Sequence, residues 1–93
     1  MKDLDPLLHN QLRLAIMALL AANEEITFTF IVDKTEASRG NVSVQVSKLE
    51  EAGYLEVHKS FVDKKPQTSM TITKTGLEAM DTYTKALKEY LNL

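Results

Sequence analysis

The chain contains no cysteine, which excludes disulfides, thiolate metal sites and cysteine nucleophiles. It has no apolar run approaching the roughly eighteen residues that cross a bilayer. Its opening, MKDLDPLLHNQ, carries Asp3 and Asp5 and lacks the basic-then-apolar order of a signal peptide. A cytoplasmic protein with no membrane partner is the plain expectation. There is also no glycine-rich phosphate loop, no nucleophile placed with a histidine base and no motif around a carboxylate pair, so no enzyme is expected. Two distant histidines, His9 and His58, do not make a metal site without cysteine, and no cofactor is implied. Repeats, linkers and low-complexity runs are missing as well. What remains is 93 residues, 44% of them hydrophobic, enough for one compact core.

One local absence is more telling. No acidic residue occurs from Arg39 through Leu49, although acids outnumber bases in the chain. The segment SRGNVSVQVSKLEE has helical spacing, yet Arg39 opens it and Glu50 and Glu51 close it, the reverse of what a helix dipole favours. Charge is uneven on a larger scale too. Residues 34–74 carry seven bases and five acids, net +2, between flanks of −3 (residues 1–33) and −1 (residues 75–93). A weak positive face in the middle of the chain follows.

Local signals give an order of elements. Asp5 and Pro6 read as the cap and first position of a helix over about 5–22, bending near Asn10. Leu8, Leu12, Ala15, Ile16 and Leu19 form its main apolar stripe, with Leu14 and Met17 on the far side. FTFIV suits a strand or a short helix over 28–36 capped by Thr27 or Thr29, and the neighbouring segment favours the helix. Ser38 caps a third helix over 38–52, with Val42, Val46 and Leu49 as its core stripe and Gly53 as its left-handed stop. YLEVHKSFV and TSMTIT alternate as two strands of a hairpin over 54–73, joined through the basic turn DKKPQ. Thr73 caps a final helix over 74–92, whose stripe is Leu77, Met80, Thr84, Leu87 and Leu91, widened by Tyr83 and Tyr90. The class is mostly α with a small β-hairpin (α+β), one domain over 1–93.

That order, with LDPLLHNQLRLAIMALL, RGNVSVQVSKLEEAGYL, KSF, KKPQT and ITKTG in sequence, resembles the small MarR/ArsR-like winged helix DNA-binding domain regulators along nearly the whole chain. Relatives typically carry Gly-Asn-Leu-Ser and then a His-Leu pair. Here the run is Gly40-Asn41-Val42-Ser43-Val44-Gln45-Val46, with Gln45 where the histidine is usual. Their Thr-Pro-Glu-Gly before the last helix is Thr73-Lys74-Thr75-Gly76.

The resemblance implies a winged helix-turn-helix with a long C-terminal dimerisation helix, binding a double-stranded DNA operator as a homodimeric transcriptional regulator of a bacterium or archaeon. The third helix would enter the major groove through Ser38, Arg39, Gly40, Asn41, Ser43, Val44, Gln45, Ser47 and Lys48, with Val44 set against a thymine methyl. Lys64, Lys65 and Thr68 would hold the wing to the flanking duplex. An acid-free first half then makes sense, because carboxylates there would face phosphates. Gly40 would let the backbone approach DNA or the preceding helix. The same residues have bland readings: Asn41, Ser43 and Ser47 are ordinary near a helix start, and Lys64 and Lys65 are ordinary in a turn. Leu4, Leu7, Leu14, Met17, Leu77, Met80, Tyr83, Leu87, Tyr90 and Leu91 would form the dimer interface, where any small-molecule effector would bind. A winged helix that binds a partner protein instead of DNA is the alternative.

Overall fold

A computed structural model describes residues 2–92. Helices α1 (Gln11–Ala22), α2 (Phe28–Thr35), α3 (Arg39–Glu51) and α4 (Lys74–Leu91) surround a three-stranded antiparallel sheet of β1 (Ile26–Thr27), β2 (Leu55–Val62) and β3 (Lys65–Ile72). The strand order is β1-β3-β2. Leu8, Ile16, Met17, Leu20, Ile26, Ile31, Val42, Leu49, Leu55, Met70 and Tyr83 fill the core, so every element contributes to one cluster.

The helices start where short polar side chains can take an orphan N–H. Asn10, Thr27, Ser38 and Thr73 each accept from the backbone nitrogen three residues on. Asn10 corrects the first boundary: α1 begins at Gln11, not near Asp5. Asp5 does cap, but only a turn, its carboxylate accepting from Leu7 N at 2.9 Å and its carbonyl from His9 N at 2.8 Å. Extended dihedrals at Asn10 then restart the chain as a helix. The turn still buries Leu8 completely.

Gly53 (φ 79°) ends α3 in a Schellman arrangement, with Gly53 N bonded to Glu50 O at 2.9 Å and Tyr54 N to Leu49 O at 3.0 Å. The start of α4 is built against this turn. Thr73 Oγ1 donates to Gly53 O at 2.5 Å, and a Cβ on Gly76 would overlap the Tyr54 carbonyl oxygen. Glycine at position 76 is therefore a steric requirement of that docking.

Tyr54 also ties this corner to the N-terminal turn, donating from its hydroxyl to Asp5 Oδ2 at 2.6 Å. That hydrogen bond, burial and the nearby negative charge push the phenol up from 10.0 to about 12. The folded protein thus holds the proton more tightly than the unfolded chain. Its contribution is whole below about pH 10 and is lost as pH rises through about 12. Tyr54→Phe should cost about 1 kcal/mol at neutral pH, as for an ordinary hydrogen bond. Thermal melts at neutral and alkaline pH should then show wild type and variant converging as the phenol ionises; a difference that persists at high pH would mean that the bond contributes nothing.

The hairpin turn is shorter than the sequence suggested, and β3 starts earlier. The turn is only Asp63-Lys64, both at positive φ (51° and 64°), the left-handed pair of a type I′ turn that matches strand twist. Lys65 and Pro66 already belong to β3. Pro66 lies opposite Phe61, one step beyond the Val62–Lys65 pair that closes the turn. At such a non-hydrogen-bonded position its missing N–H costs no ladder bond. β1, two residues long, pairs Ile26 with Met70 and Thr27 with Ser69.

On α4 the structure separates two stripes. Gly76, Tyr83 and Ala86 are buried against the molecule's own core, with Ala79 half-buried. The stripe read from the sequence lies beside this one and is left partly open, with Leu77 48% and Leu91 75% exposed. Met17 and Tyr83 are corrections to the dimer list: both are spent inside the protomer core, and Tyr83 Oη also meets His9 Nδ1 at 3.0 Å.

Candidate nucleic-acid interface

Because α3 buries only Val42, Val46 and Leu49, most of its surface faces outward. Helical spacing sorts the remaining residues into three directions. Gly40, Ser43 and Ser47 face the wing, and with Arg39 they form one wall of an open groove of about 960 Å³. Val57, Lys59, Pro66 and Thr68 of the hairpin form the opposite wall, and Thr27 and Thr29 close one end. Glu50 lines it as well. Val44 and Lys48, one turn apart, are exposed on the outer face, Val44 at 51%. Lys64 and Lys65 are exposed at the hairpin tip, outside the groove. Ser38 stays at the helix start, its hydroxyl accepting from Asn41 N at 3.1 Å.

The third direction is that of Gln45. Its side chain turns toward α1 instead of the open face, accepting from Arg13 Nη1 at 2.6 Å and donating to Asn41 Oδ1 at 3.0 Å. Arg13 Nε in turn donates to the Leu7 carbonyl at 2.6 Å. A chain of three side-chain bonds therefore runs from the N-terminal turn to Asn41 at the exposed start of α3. Arg13 fixes the amide orientation there without itself facing the groove. The sequence held a signal for it, since Arg13 is the only charged residue of α1. Thr29, exposed beside the groove, carried no such signal.

Arg39 is held as well. Its guanidinium lies 4.9 Å from the centroid of the Phe28 ring, a cation–π contact that positions it on the groove wall. Gly40 has no neighbour within 4 Å of where a Cβ would stand. The preceding helix therefore does not demand a glycine; only something outside the protein would.

Three features of α3 and the adjacent wing run against local stability. α3 opens on a base, Arg39, and ends in two glutamates. Gly40 sits in a helix with room for a side chain, where alanine would favour folding. Lys64 occupies a left-handed position that glycine fills without strain. Such departures gather where function constrains the sequence.

Among the described residues no cluster of histidines and carboxylates could hold a metal ion. His9 meets Tyr83, and His58 meets Thr71 at 2.9 Å. No helix of the described residues is long and apolar enough to cross a membrane.

The profile of the winged helix DNA-binding domain family matches residues 12–91. An uncharacterized protein of Methanocaldococcus jannaschii is 34% identical over 71 residues, 76% of this chain and 77% of that one. The transcriptional regulator homologue protein from Pyrococcus horikoshii OT3 matches with a TM-score of 0.86 at 28% identity, over 92% of this chain and 85% of that one. Bacillus subtilis PadR, solved in complex with operator DNA, shares the fold with a TM-score of 0.71 at 18% identity, over 80% of this chain and 46% of PadR.

Proposed function

The chain belongs to the winged helix DNA-binding domain family, and from that premise we propose that it binds a specific double-stranded operator as a homodimeric transcriptional regulator. The family is one of DNA-binding regulators, not enzymes. The observation that carries the specific reading is the coincidence of three local departures on α3 and the adjacent wing: the charge order of α3 with Arg39 first and Glu50 and Glu51 last, the unhindered Gly40 and the left-handed Lys64. Each lowers the stability of its own element. Each is what a duplex laid across α3 and the wing would require.

In this pose the exposed first turns of α3 enter the major groove. Arg39, Asn41, Ser43, Ser47 and Lys48 offer donors to base edges and phosphates, and Val44 offers an apolar contact to a thymine methyl. The sugar–phosphate ridge bordering that groove lies between α3 and the wing, where Arg39, Lys59, Thr29 and Thr68 can donate to it. Lys64 and Lys65 reach the backbone beyond. Glu50, in the last turn of α3, marks where the duplex leaves the protein. The homodimer forms through the open stripe of α4, and an effector, if the protein has one, binds at that interface.

Salt titration tests the pose. Selection from random duplexes gives an operator, and affinity for it should fall as salt rises. Replacing Lys64 and Lys65 by alanine should weaken specific and random duplexes alike and reduce the log–log salt slope by up to about two. The melting temperature should not fall, since both side chains are exposed. An unchanged slope would take the wing off the duplex, and selection that enriches nothing would favour a protein partner.

A further inference from the structure

Phe61 is 77% exposed, the highest of the large hydrophobic side chains among the described residues, and stands one pair short of the hairpin turn. Strand alternation puts it on the same sheet face as Val57 and Lys59, and its cross-strand partner Pro66 shares that face with Thr68. Val57, Lys59, Pro66 and Thr68 all line the groove beside α3, so Phe61 continues the wall that faces the proposed duplex. The surroundings are cationic: residues 57–69 contain three lysines and one aspartate. An apolar ring among lysines suits a polyanion with an apolar interior. Stacked bases inside a phosphate backbone are such a partner.

We infer that Phe61 is a wedge, inserting from the wing into the minor groove next to the α3 site and partly unstacking one base step. The inference rests on the DNA-binding reading and adds a kink that reading does not contain. With α3 in the major groove, the hairpin tip overlies the adjacent minor groove, where Lys64 and Lys65 hold the backbone and Phe61 meets base edges. Pro66 backs the ring with a rigid residue across the strand pair. A wedge of this kind bends the duplex by roughly 20–90° toward the major groove. It also selects sequence through deformability, favouring flexible pyrimidine–purine steps at that position.

The test uses the full chain and the duplex most enriched by selection from random DNA. Affinity is measured against salt, bending by circularly permuted probes, and unstacking by 2-aminopurine placed at the flanking step. Wild type should bend the duplex and brighten the probe. Phe61→Ala should lose roughly 10- to 100-fold in affinity, the range of base–aromatic stacking. It should also lose the bend and the fluorescence while keeping the wild-type salt slope and melting temperature. Phe61→Leu, which keeps a wedge, should retain most of the bend. Wild type that binds without bending, or a Phe61→Ala variant that bends the duplex normally, overturns the inference and leaves DNA binding intact. A Phe61→Ala variant that sediments as a monomer where wild type is dimeric assigns the ring to the protein interface and overturns it too. Failure of wild type to enrich any duplex removes the regulator reading and the wedge together.

Discussion

Asn41→Glu should make the protein more stable and nearly unable to bind its operator. Ser38 already forms half of a capping box, its hydroxyl accepting from the nitrogen of residue 41 at 3.1 Å. A glutamate at that third position supplies the other half by reaching back to the Ser38 N–H. It also puts a negative charge in the first turn, where the dipole contributes about 0.3–1 kcal/mol. For a chain of this size that raises the melting temperature by a few degrees. Residue 41 is exposed, and the one side-chain bond that the change disturbs is the one Asn41 Oδ1 accepts from Gln45 Nε2, a group already held by Arg13. On DNA the same carboxylate would meet phosphates or base acceptors. Unfavourable like-charge contacts cost several kcal/mol, which corresponds to a loss of about 100-fold or more. Asn41→Gln, without the charge, should stay within a few-fold of wild type. Melting and operator binding measured side by side decide the matter: an Asn41→Glu variant that binds at full strength would dissociate the start of α3 from the duplex.

The capping signals which that substitution would exploit are legible in the sequence alone. Ser38, Gly53 and Thr73 act through neighbours in sequence, and Val42, Val46 and Leu49 mark one face by spacing alone, so the limits of α3 and the start of α4 were legible. So was the oddity of α3, because dipole logic is local. The start of α1 was not. Asp5-Pro6 and Asn10 are both valid caps, and the choice depends on bonds from Tyr54 to Asp5 and from Arg13 to Leu7, made across the fold. β1 exists only because β3 offers an edge to Ile26 and Thr27. Pro66 read as a break because sequence does not reveal which strand positions lack ladder bonds. The need for Gly76 was hidden for a similar reason, since its neighbour is a carbonyl twenty-two residues earlier. Arg13 was the costliest omission, because its hydrogen bond to Gln45 joins two helices that local patterning treats separately. Met17 and Tyr83 show the limit of periodicity: it finds apolar faces but does not say which one the protomer keeps for itself.

A Leu77→Asp/Leu91→Asp double variant should separate the proposed homodimer into folded monomers. The two leucines sit fourteen positions apart on α4, so about 20 Å of helix lies between them. Met80, Thr84 and Leu87 lie along the same line, beside the Gly76–Tyr83–Ala86 face that the core already occupies. Neither leucine, 48% and 75% exposed, belongs to the core cluster, and the variant should keep its circular dichroism and melt cooperatively. In the dimer both would be buried, and two aspartates per protomer would be unpaired charges in an apolar seam. Two-fold pairing through α4 should set the recognition helices about 34 Å apart, one turn of DNA, so both half-sites are read from one side of the duplex. Losing that linkage removes the effective concentration of the second half-site, on the order of 100- to 10,000-fold in apparent affinity. Affinity for a single half-site should hardly change, because α3 and the wing are intact in each monomer. That contrast separates a lost interface from a damaged fold, which would weaken both sites equally. A double variant that remains dimeric would place the interface elsewhere than on this stripe of α4, and a wild-type protein that sediments as a monomer at micromolar concentration would remove the homodimer.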